Sequence, residues 1–364
     1  MPNLKQMIFN HFKWKLHQIQ SSIQRDEHEL EYLFLEVSRR CNISCRYCGS
    51  DCTNTCNSTE LTTQQWLDII DQIADDFVPQ KVMIAVTGGE PLFRPDIFDI
   101  FKRLQERGFY YGMVSNSTLL NAETAERLVQ CGIHSISLSC DSIPEINDKQ
   151  RCPNASKHVV DAIHHLRCAK YRGILEILST ITKPCIPHLE EMKTWVQNLK
   201  IKRWRLAPVI AIGRAAENKD LLLDHNDIKI ILDFIRDQRQ SLDHIKVELT
   251  EEGFVGDEYE GLVRPYLCQC KAGINVGGIR FDGKIAACPE ISQVFDQGDI
   301  LNERFSEVWN NKYQDFRDRS WTHKLGPCQH CDKFKICQGG SLHLYENKST
   351  PTTRCLHEML KQCD

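Results

Sequence analysis

No run in this sequence approaches the roughly 18 consecutive apolar residues that cross a bilayer, and no charged, apolar and small-residue succession at its start marks a secretory signal. A cytoplasmic, reducing location is therefore expected. Neither sign of charge dominates: 45 Lys and Arg are interspersed with 49 Asp and Glu, a net charge of -4. That balance gives no basic footprint for nucleic acid and leaves small or peptide substrates as the better fit. With only 13 Pro and 19 Gly in 364 residues and 41% hydrophobic side chains, the composition is that of a folded globular chain rather than a disordered or fibrous one. Internal repeats and low-complexity stretches are absent as well. Cysteine is the exception, because 18 of them occur in a chain too large to need disulfide staples. Metal or redox duty is the better explanation.

The length suits one barrel-sized domain with an appendage, or two domains. Residues 4 to 24 carry Met7, Ile8, Phe12, Leu16, Ile19 and Ile23 at helical spacing, with Lys5, Lys13 and Lys15 between them. An amphipathic helix is expected, packed on the domain behind it in preference to contacting a partner or a membrane surface. From residue 32 the pattern alternates. Strand-like YLFLEV, KVMIAVT, FYYGMVS, HSISLSC, GILEILSTIT and KRWRLAPVI are each followed by a helical or loop segment, the first helix opened by Thr62. Six βα steps predict an α/β fold, a parallel sheet curled into a partial (β/α)6 barrel of the TIM type, with active groups at the C-terminal strand ends. Another strand is suggested by DHIKVEL, and from Cys268 onward glycine-rich hairpin signals (NVGGIRFDGKIAAC), clustered cysteines and short helices follow. The expected division is an N-terminal helix at 1–30, a barrel at 31–245 and a cysteine-rich unit at 246–364.

The first strand ends close to CNISCRYC, where Cys41, Cys45 and Cys48 follow one another with three and two residues between. Three thiolates on one loop can hold three irons of a four-iron cluster and leave the fourth for an exchangeable ligand. They can equally hold zinc, with Cys52 or Cys56 as a fourth ligand. TGGEP follows the second strand: Gly88 and Gly89 let backbone approach a ligand, and Glu90, beside Pro91, offers acceptors to a cationic amine. Polar residues end the next strands, Ser115 and Asn116 the third, Ser137, Ser139 and Asp141 the fourth, as hydroxyl and carboxylate recognition requires.

Triplet, TGGEP and strand ends, in that order, resemble the radical S-adenosylmethionine (radical SAM) enzymes over roughly the first 210 residues. The resemblance implies that S-adenosylmethionine chelates the open iron of a [4Fe-4S] cluster and yields a 5'-deoxyadenosyl radical that abstracts hydrogen from substrate. It also implies that Tyr47 lies beside the adenine and that Arg151 faces the methionyl carboxylate. An electron donor such as ferredoxin or flavodoxin is implied too. Cys140 is expected to be a small core residue, and Cys131, Cys152, Cys168 and Cys185 lack ligand-like spacing.

CQHCDKFKIC supplies Cys328, Cys331 and Cys337, and Cys355 follows, enough to close a metal site. Upstream, Cys270 and Cys288 flank a hairpin containing Gly283. Residues 268 to 355 resemble the SPASM extension of radical SAM enzymes, which implies one or two auxiliary [4Fe-4S] clusters; the alternative is a zinc knuckle. The chain departs from the SPASM pattern at Ser341, which stands where a cysteine would join Cys270 and Cys288. Cys268, Ser341 and His343 remain open as substitutes.

Enzymes with this extension commonly modify peptides or proteins, which implies a peptide or small protein substrate. The start of the chain through CRYCGSDC resembles the subgroup of lipoprotein-associated systems, whose substrate is expected to be a small secreted or lipoprotein precursor. Alternatives are a small-molecule or tetrapyrrole enzyme, and an iron-sulfur electron-transfer protein. No catalytic acid or base can be assigned; Glu290 and Asp282 are read as exposed turn carboxylates.

Overall fold

The computed structural model describes residues 4–363 apart from 57, 242–244 and 252, with side chains from residue 12 onward. Met7 and Ile8 of the expected apolar stripe, and the first residues of DHIKVEL, thus lie outside the description.

Among the described residues ten strands form one sheet: β1 (Tyr32–Glu36), β2 (Met83–Thr87), β3 (Tyr110–Ser115), β4 (Ser135–Ser139), β5 (Ile174–Ile181), β6 (Arg203–Pro208), β7 (Lys246–Leu249), β8 (Val276–Ile279), β9 (Lys284–Ala286) and β10 (Gly298–Asp299). Their order is β10-β9-β8-β1-β2-β3-β4-β5-β6-β7. All pairings from β8 to β7 are parallel, and β9 and β10 join antiparallel. The fold is therefore an open α/β barrel of the expected class, extended at both ends. The composition change near 245 does not interrupt it, because β7 pairs with β6 and the cysteine-rich hairpin β8–β9 lies against β1.

The period-2 alternation of the strands sorts their side chains. Leu35, Val86, Ile136, Leu138, Ile177 and Trp204 face the helices and are at most 1% exposed. Glu36, Thr87, Ser137 and Glu176 fall on the other face, inside the barrel. After α1 (Leu4–Glu27), helix α2 (Thr63–Asp76) begins with a capping box in which Thr62 accepts from the Gln65 amide and Gln65 answers, and buries Trp66, Ile69, Ile70 and Ile73. The remaining layer is α3 (Ile97–Glu106), α4 (Ala122–Gln130), α5 (Pro144–Gln150), α6 (Ala155–Cys168), α7 (Leu189–Asn198), the short α8 (Arg214–Glu217) and α9 (His225–Gln240). Each fully buried Ile, Leu or Phe contributes roughly 1.5–3 kcal/mol of transfer free energy.

Helix α1 docks on the cysteine-rich half: Trp14 packs edge-on against Phe254, Lys13 donates to the Glu260 carbonyl at 2.7 Å, and His17 meets the Cys268 carbonyl at 3.1 Å. Its opposite face, with Phe12, Leu16, Ile19 and Ile23, is exposed. Among the described residues no helix is long and apolar enough to cross a membrane.

Candidate active site at the barrel mouth

The loop after β1 is laced to the loop after β2. Gly89 N–H donates to the Ser38 carbonyl at 2.8 Å and Glu90 N–H to the Arg40 carbonyl at 3.0 Å. A Cβ on Gly88 would lie 2.2 Å from Ser38 O, and one on Gly89 2.2 Å from Arg40 O and 3.0 Å from Cys41 Cβ. These glycines let the two loops touch, so the close approach inferred from TGGEP is first of all an approach to the cysteine loop itself.

Cys41 and Cys45 are buried and Cys48 half-buried. Asn116 Nδ2 lies 3.6 Å from Cys41 Sγ, and the Cys52 amide lies 3.5 Å from Cys48 Sγ. The three thiols differ in acidity: a hydrogen bond from the Cys52 thiol pulls Cys48 down to about 6, whereas burial pushes Cys45 up to about 11. Two residues after β6 that the sequence reading did not single out clamp this loop. Gly213, at φ 55°, lies against the Cys48 and Gly49 carbonyls. Arg214 donates from Nε to the Cys45 carbonyl at 2.7 Å, from its backbone to the Cys48 carbonyl at 3.0 Å, and from NH1 to Asp51 at 2.7 Å. Only the GR dipeptide behind an apolar strand hinted at them.

The strand ends converge above the loop. Glu90 is fully buried and its carboxylate accepts from Ser115 Oγ at 3.0 Å, Asn116 N at 2.6 Å and Leu92 N at 3.1 Å, capping the turn opened by Pro91. It therefore fixes Asn116 rather than presenting a free carboxylate. Burial raises it to about 7 against those donors. Tyr47, Asp141 and Arg151 form a second knot: the Tyr47 hydroxyl donates to Asp141, and Arg151 NH1 reaches Tyr47 OH at 2.5 Å and Asp141 Oδ2 at 3.2 Å. Asp141 also accepts from Thr180 N at 2.9 Å. Arg151 Nε and Ser117 Oγ are buried without a hydrogen-bond partner, and Ser139 is half-buried at the end of β4. Unsatisfied buried donors beside three thiols fit a ligand that carries carboxylate and hydroxyl groups.

Below the mouth the barrel interior is polar. Glu176 accepts from Ser137 Oγ at 2.5 Å and Arg205 at 2.6 Å, and Arg203 bridges Glu176 and Glu248 at 3.6 and 3.9 Å. Glu36, at the end of β1, is 2% exposed with Oε2 unpartnered. Burial lifts it to about 7 in spite of Arg39 and Arg280. A carboxyl raised in the fold supports stability below its unfolded value near 4.5, and that support is lost as pH rises to about 7. Thermal unfolding of the metal-free protein should accordingly show stability falling over this window, by up to about 3 kcal/mol from this group. In Glu36→Gln the fall should be shallower; an unchanged profile would contradict the assignment.

In the C-terminal half Cys328, Cys331, Cys337 and Cys355 line one cavity with Glu251, Phe254, Lys333 and Arg354. Tetrahedral zinc, with Zn–S near 2.3 Å, draws thiolates to about 3.8 Å from one another. Among the described residues the donor group that tight is Cys331, Asp332 and His357, within 4.8 Å, and it contains one cysteine. Among the described residues neither cysteine set therefore brings three sulfurs within 4.8 Å of one another. Cys270 is buried, its carbonyl held by Arg319 at 2.7 Å, and Cys288 is half-buried just past β9. Ser341 is fully buried and donates to Glu251 at 2.5 Å. Glu290 is exposed, 4.0 Å from His343 Nδ1, and Asp282 is half-buried in the hairpin turn.

Comparison with known proteins agrees with this geometry. Residues 35–197 match the family model of the radical SAM superfamily, and residues 270–332 match SPASM, an iron-sulfur cluster-binding domain. The chain is 25% identical over 320 residues to an AdoMet-dependent heme synthase of Oleidesulfovibrio alaskensis, covering 84% of this chain and 80% of the relative. To a PqqA peptide cyclase of Granulibacter bethesdensis it is 25% identical over 314 residues, covering 85% and 81%. Among solved structures, native anSMEcpe with bound AdoMet and the Cp18Cys peptide superposes with a TM-score of 0.70 at 17% identity, covering 92% of this chain and 95% of that one. With clusters of the [4Fe-4S] type and S-adenosylmethionine as the cofactors these domains imply, the chain is a radical SAM enzyme, a member of the radical SAM superfamily with a C-terminal SPASM domain.

Proposed function

We propose that this enzyme removes hydrogen from a peptide or small protein substrate, oxidising or cross-linking a side chain. The observation that carries the peptide reading is the state of the barrel interior. Two of its arginines already face carboxylates: Arg205 and Arg203 share Glu176, and Arg203 also reaches Glu248. A tetrapyrrole with several carboxylates would need such arginines free. A peptide needs polar side chains that exchange hydrogen bonds with its backbone, which Ser137, Glu176 and Thr180 supply on the inner face. The relative named as a peptide cyclase and the fold neighbour crystallised with a peptide support the same choice; the relative named as a heme synthase, equally similar, keeps the tetrapyrrole as the competing substrate.

In this proposal Cys41, Cys45 and Cys48 hold the cluster at the mouth. Bound there, cluster and S-adenosylmethionine supply the 5'-deoxyadenosyl radical that takes the hydrogen atom. Arg151, with its free Nε, orients the methionyl carboxylate, Tyr47 flanks the adenine, and Ser115, Asn116, Ser139 and Asp141 address the ribose. Gly88, Gly89 and Pro91 shape the loop that receives the methionyl amine, and Glu90 acts as a positioning residue through Asn116. Cys328, Cys331, Cys337 and Cys355 hold an auxiliary cluster. A small secreted or lipoprotein precursor as substrate, and a ferredoxin or flavodoxin as electron donor, complete the proposal.

The test is to search beside the gene for a short precursor reading frame and to incubate reconstituted, reduced enzyme and S-adenosylmethionine with the peptide it encodes, and separately with an iron porphyrin. The expected result is a peptide product lacking two hydrogen atoms by mass spectrometry. Conversion of the porphyrin with the peptide untouched would overturn the reading.

A further inference from the structure

We infer that this chain builds two four-iron clusters and not three: the Ser341–Glu251–Arg354 network takes the place of the first auxiliary cluster and clamps the ligand segments of the second. The inference rests on the radical SAM–SPASM assignment and concerns the one position where the chain departs from the SPASM pattern.

Ser341 stands four residues after Cys337, where a cysteine would reach toward Cys270 and Cys288. Its hydroxyl instead donates to Glu251 Oε1 at 2.5 Å, and the Gly253 amide donates to the same oxygen at 3.2 Å. Glu251 Oε2 is paired with Arg354, whose NH1 donates to the Val209 carbonyl at 2.7 Å. Ser341 is 0% and Glu251 3% exposed. The position is therefore built around a buried carboxylate and suits a donor. A thiolate there would face Glu251, like charge against like charge in a medium that screens little.

The other candidates are no better placed. Arg319 fixes the backbone beside the hairpin pair, donating to the carbonyls of Cys270 at 2.7 Å, Ala272 at 3.3 Å and Gly340 at 3.3 Å. Cys268 is buried with its amide on Glu260 at 3.1 Å, and Glu260 is closed by Arg264 at 2.6 Å with both side chains 0% exposed. A cluster ligated there would again add negative charge beside a buried carboxylate. His343 has a buried, unpartnered Nε2, yet with Cys270 and Cys288 it makes three donors where four close an auxiliary site, and the fourth would be the Cys268 set against Glu260.

The network also has a positive role. Arg354 directly precedes Cys355, and Ser341 follows Cys337 across Gly339 and Gly340, whose φ values of 83° and 72° turn the chain back. Glu251, which lines the four-cysteine cavity together with Arg354, joins the two segments. It acts as a positioning residue, and Arg354 also ties them to the end of β6.

Anaerobic reconstitution with excess iron and sulfide, followed by metal analysis, should give about eight irons per chain, two clusters of four. Cys270→Ala with Cys288→Ala should retain eight, with His343→Ala added as well. Cys331→Ala should fall to about four. Ser341→Ala and Glu251→Gln should lose iron toward four while still forming 5'-deoxyadenosine and keeping the metal-free circular dichroism spectrum, and Arg354→Lys should restore most of the iron lost in Arg354→Ala. Twelve irons in the unaltered chain, or loss of iron from the Cys270 and Cys288 variant, would overturn the two-cluster inference. Eight irons retained in Glu251→Gln would overturn the clamp. Failure to form any 5'-deoxyadenosine in the unaltered, fully loaded chain would instead strike at the enzyme assignment beneath it.

Discussion

Cys45→Ala is expected to bring 5'-deoxyadenosine formation down to the protein-free background, while Cys331→Ala leaves it within about twofold of the unaltered enzyme, since distant sites without shared partners act nearly independently. Cys45 is buried, its carbonyl is fixed by Arg214, and alanine removes a thiolate that no other group in the loop replaces. The spare Cys52 meets Cys48 rather than Cys45, through its amide at 3.5 Å. Cys331 lies in the separate C-terminal cavity, among Cys328, Cys337 and Cys355. Its loss should instead abolish product on the proposed peptide substrate. Chromatographic assay of 5'-deoxyadenosine beside mass spectrometry of the peptide separates the two effects. The reverse pattern would mean that the clusters' roles are exchanged.

Gly213→Val is expected to weaken iron retention at the barrel mouth by about 10- to 100-fold, the usual effect of removing an outer partner of a metal site. Two causes act together. A Cβ at this position would lie 2.4 Å from Gly49 O and 2.5 Å from Cys48 O, so the cysteine loop must move. The φ of 55° is also a left-handed conformation that costs a β-branched residue on the order of 1–3 kcal/mol. The C-terminal cluster shares no ligand segment with this loop and should stay loaded, so iron should fall by about four per chain, one cluster. Arg214→Ala should act in the same direction more mildly. Full occupancy in Gly213→Val would show that the loop is positioned by something other than this clamp.

The parts of the site legible in sequence are those whose chemistry is local. The cysteine triplet, TGGEP and the polar ends of β3 and β4 could be read because each lies within a few residues, and apolar strands that end in Ser, Asn or Asp stand out. Thr62 as a helix cap was legible for the same reason. Purpose was harder to read than position. Gly88 and Gly89 accommodate the cysteine loop, a contact between segments some fifty residues apart in sequence. Glu90 holds Asn116 through bonds that only the meeting of β2 and β3 creates. Gly213 and Arg214 were missed because they act across the open barrel on residues far upstream. The continuation of the sheet through β8 beside β1 was hidden likewise, since parallel pairing leaves no local signature. Glu36 carried no signal in the sequence: nothing local to YLFLEV tells that the carboxylate ending the strand is buried inside the barrel. In α1, packing through Trp14 and His17 bears on one face only, and the apolar stripe from Phe12 to Ile23 lies on the other.

One measurement bears most directly on the central claim that the thiols at the barrel mouth serve radical chemistry. Anaerobically reconstituted, reduced protein is mixed with S-adenosylmethionine, and 5'-deoxyadenosine and methionine are quantified over time. Both products are expected in equal amounts from the unaltered chain and neither from Cys45→Ala. A fully iron-loaded chain that leaves S-adenosylmethionine intact would contradict the claim.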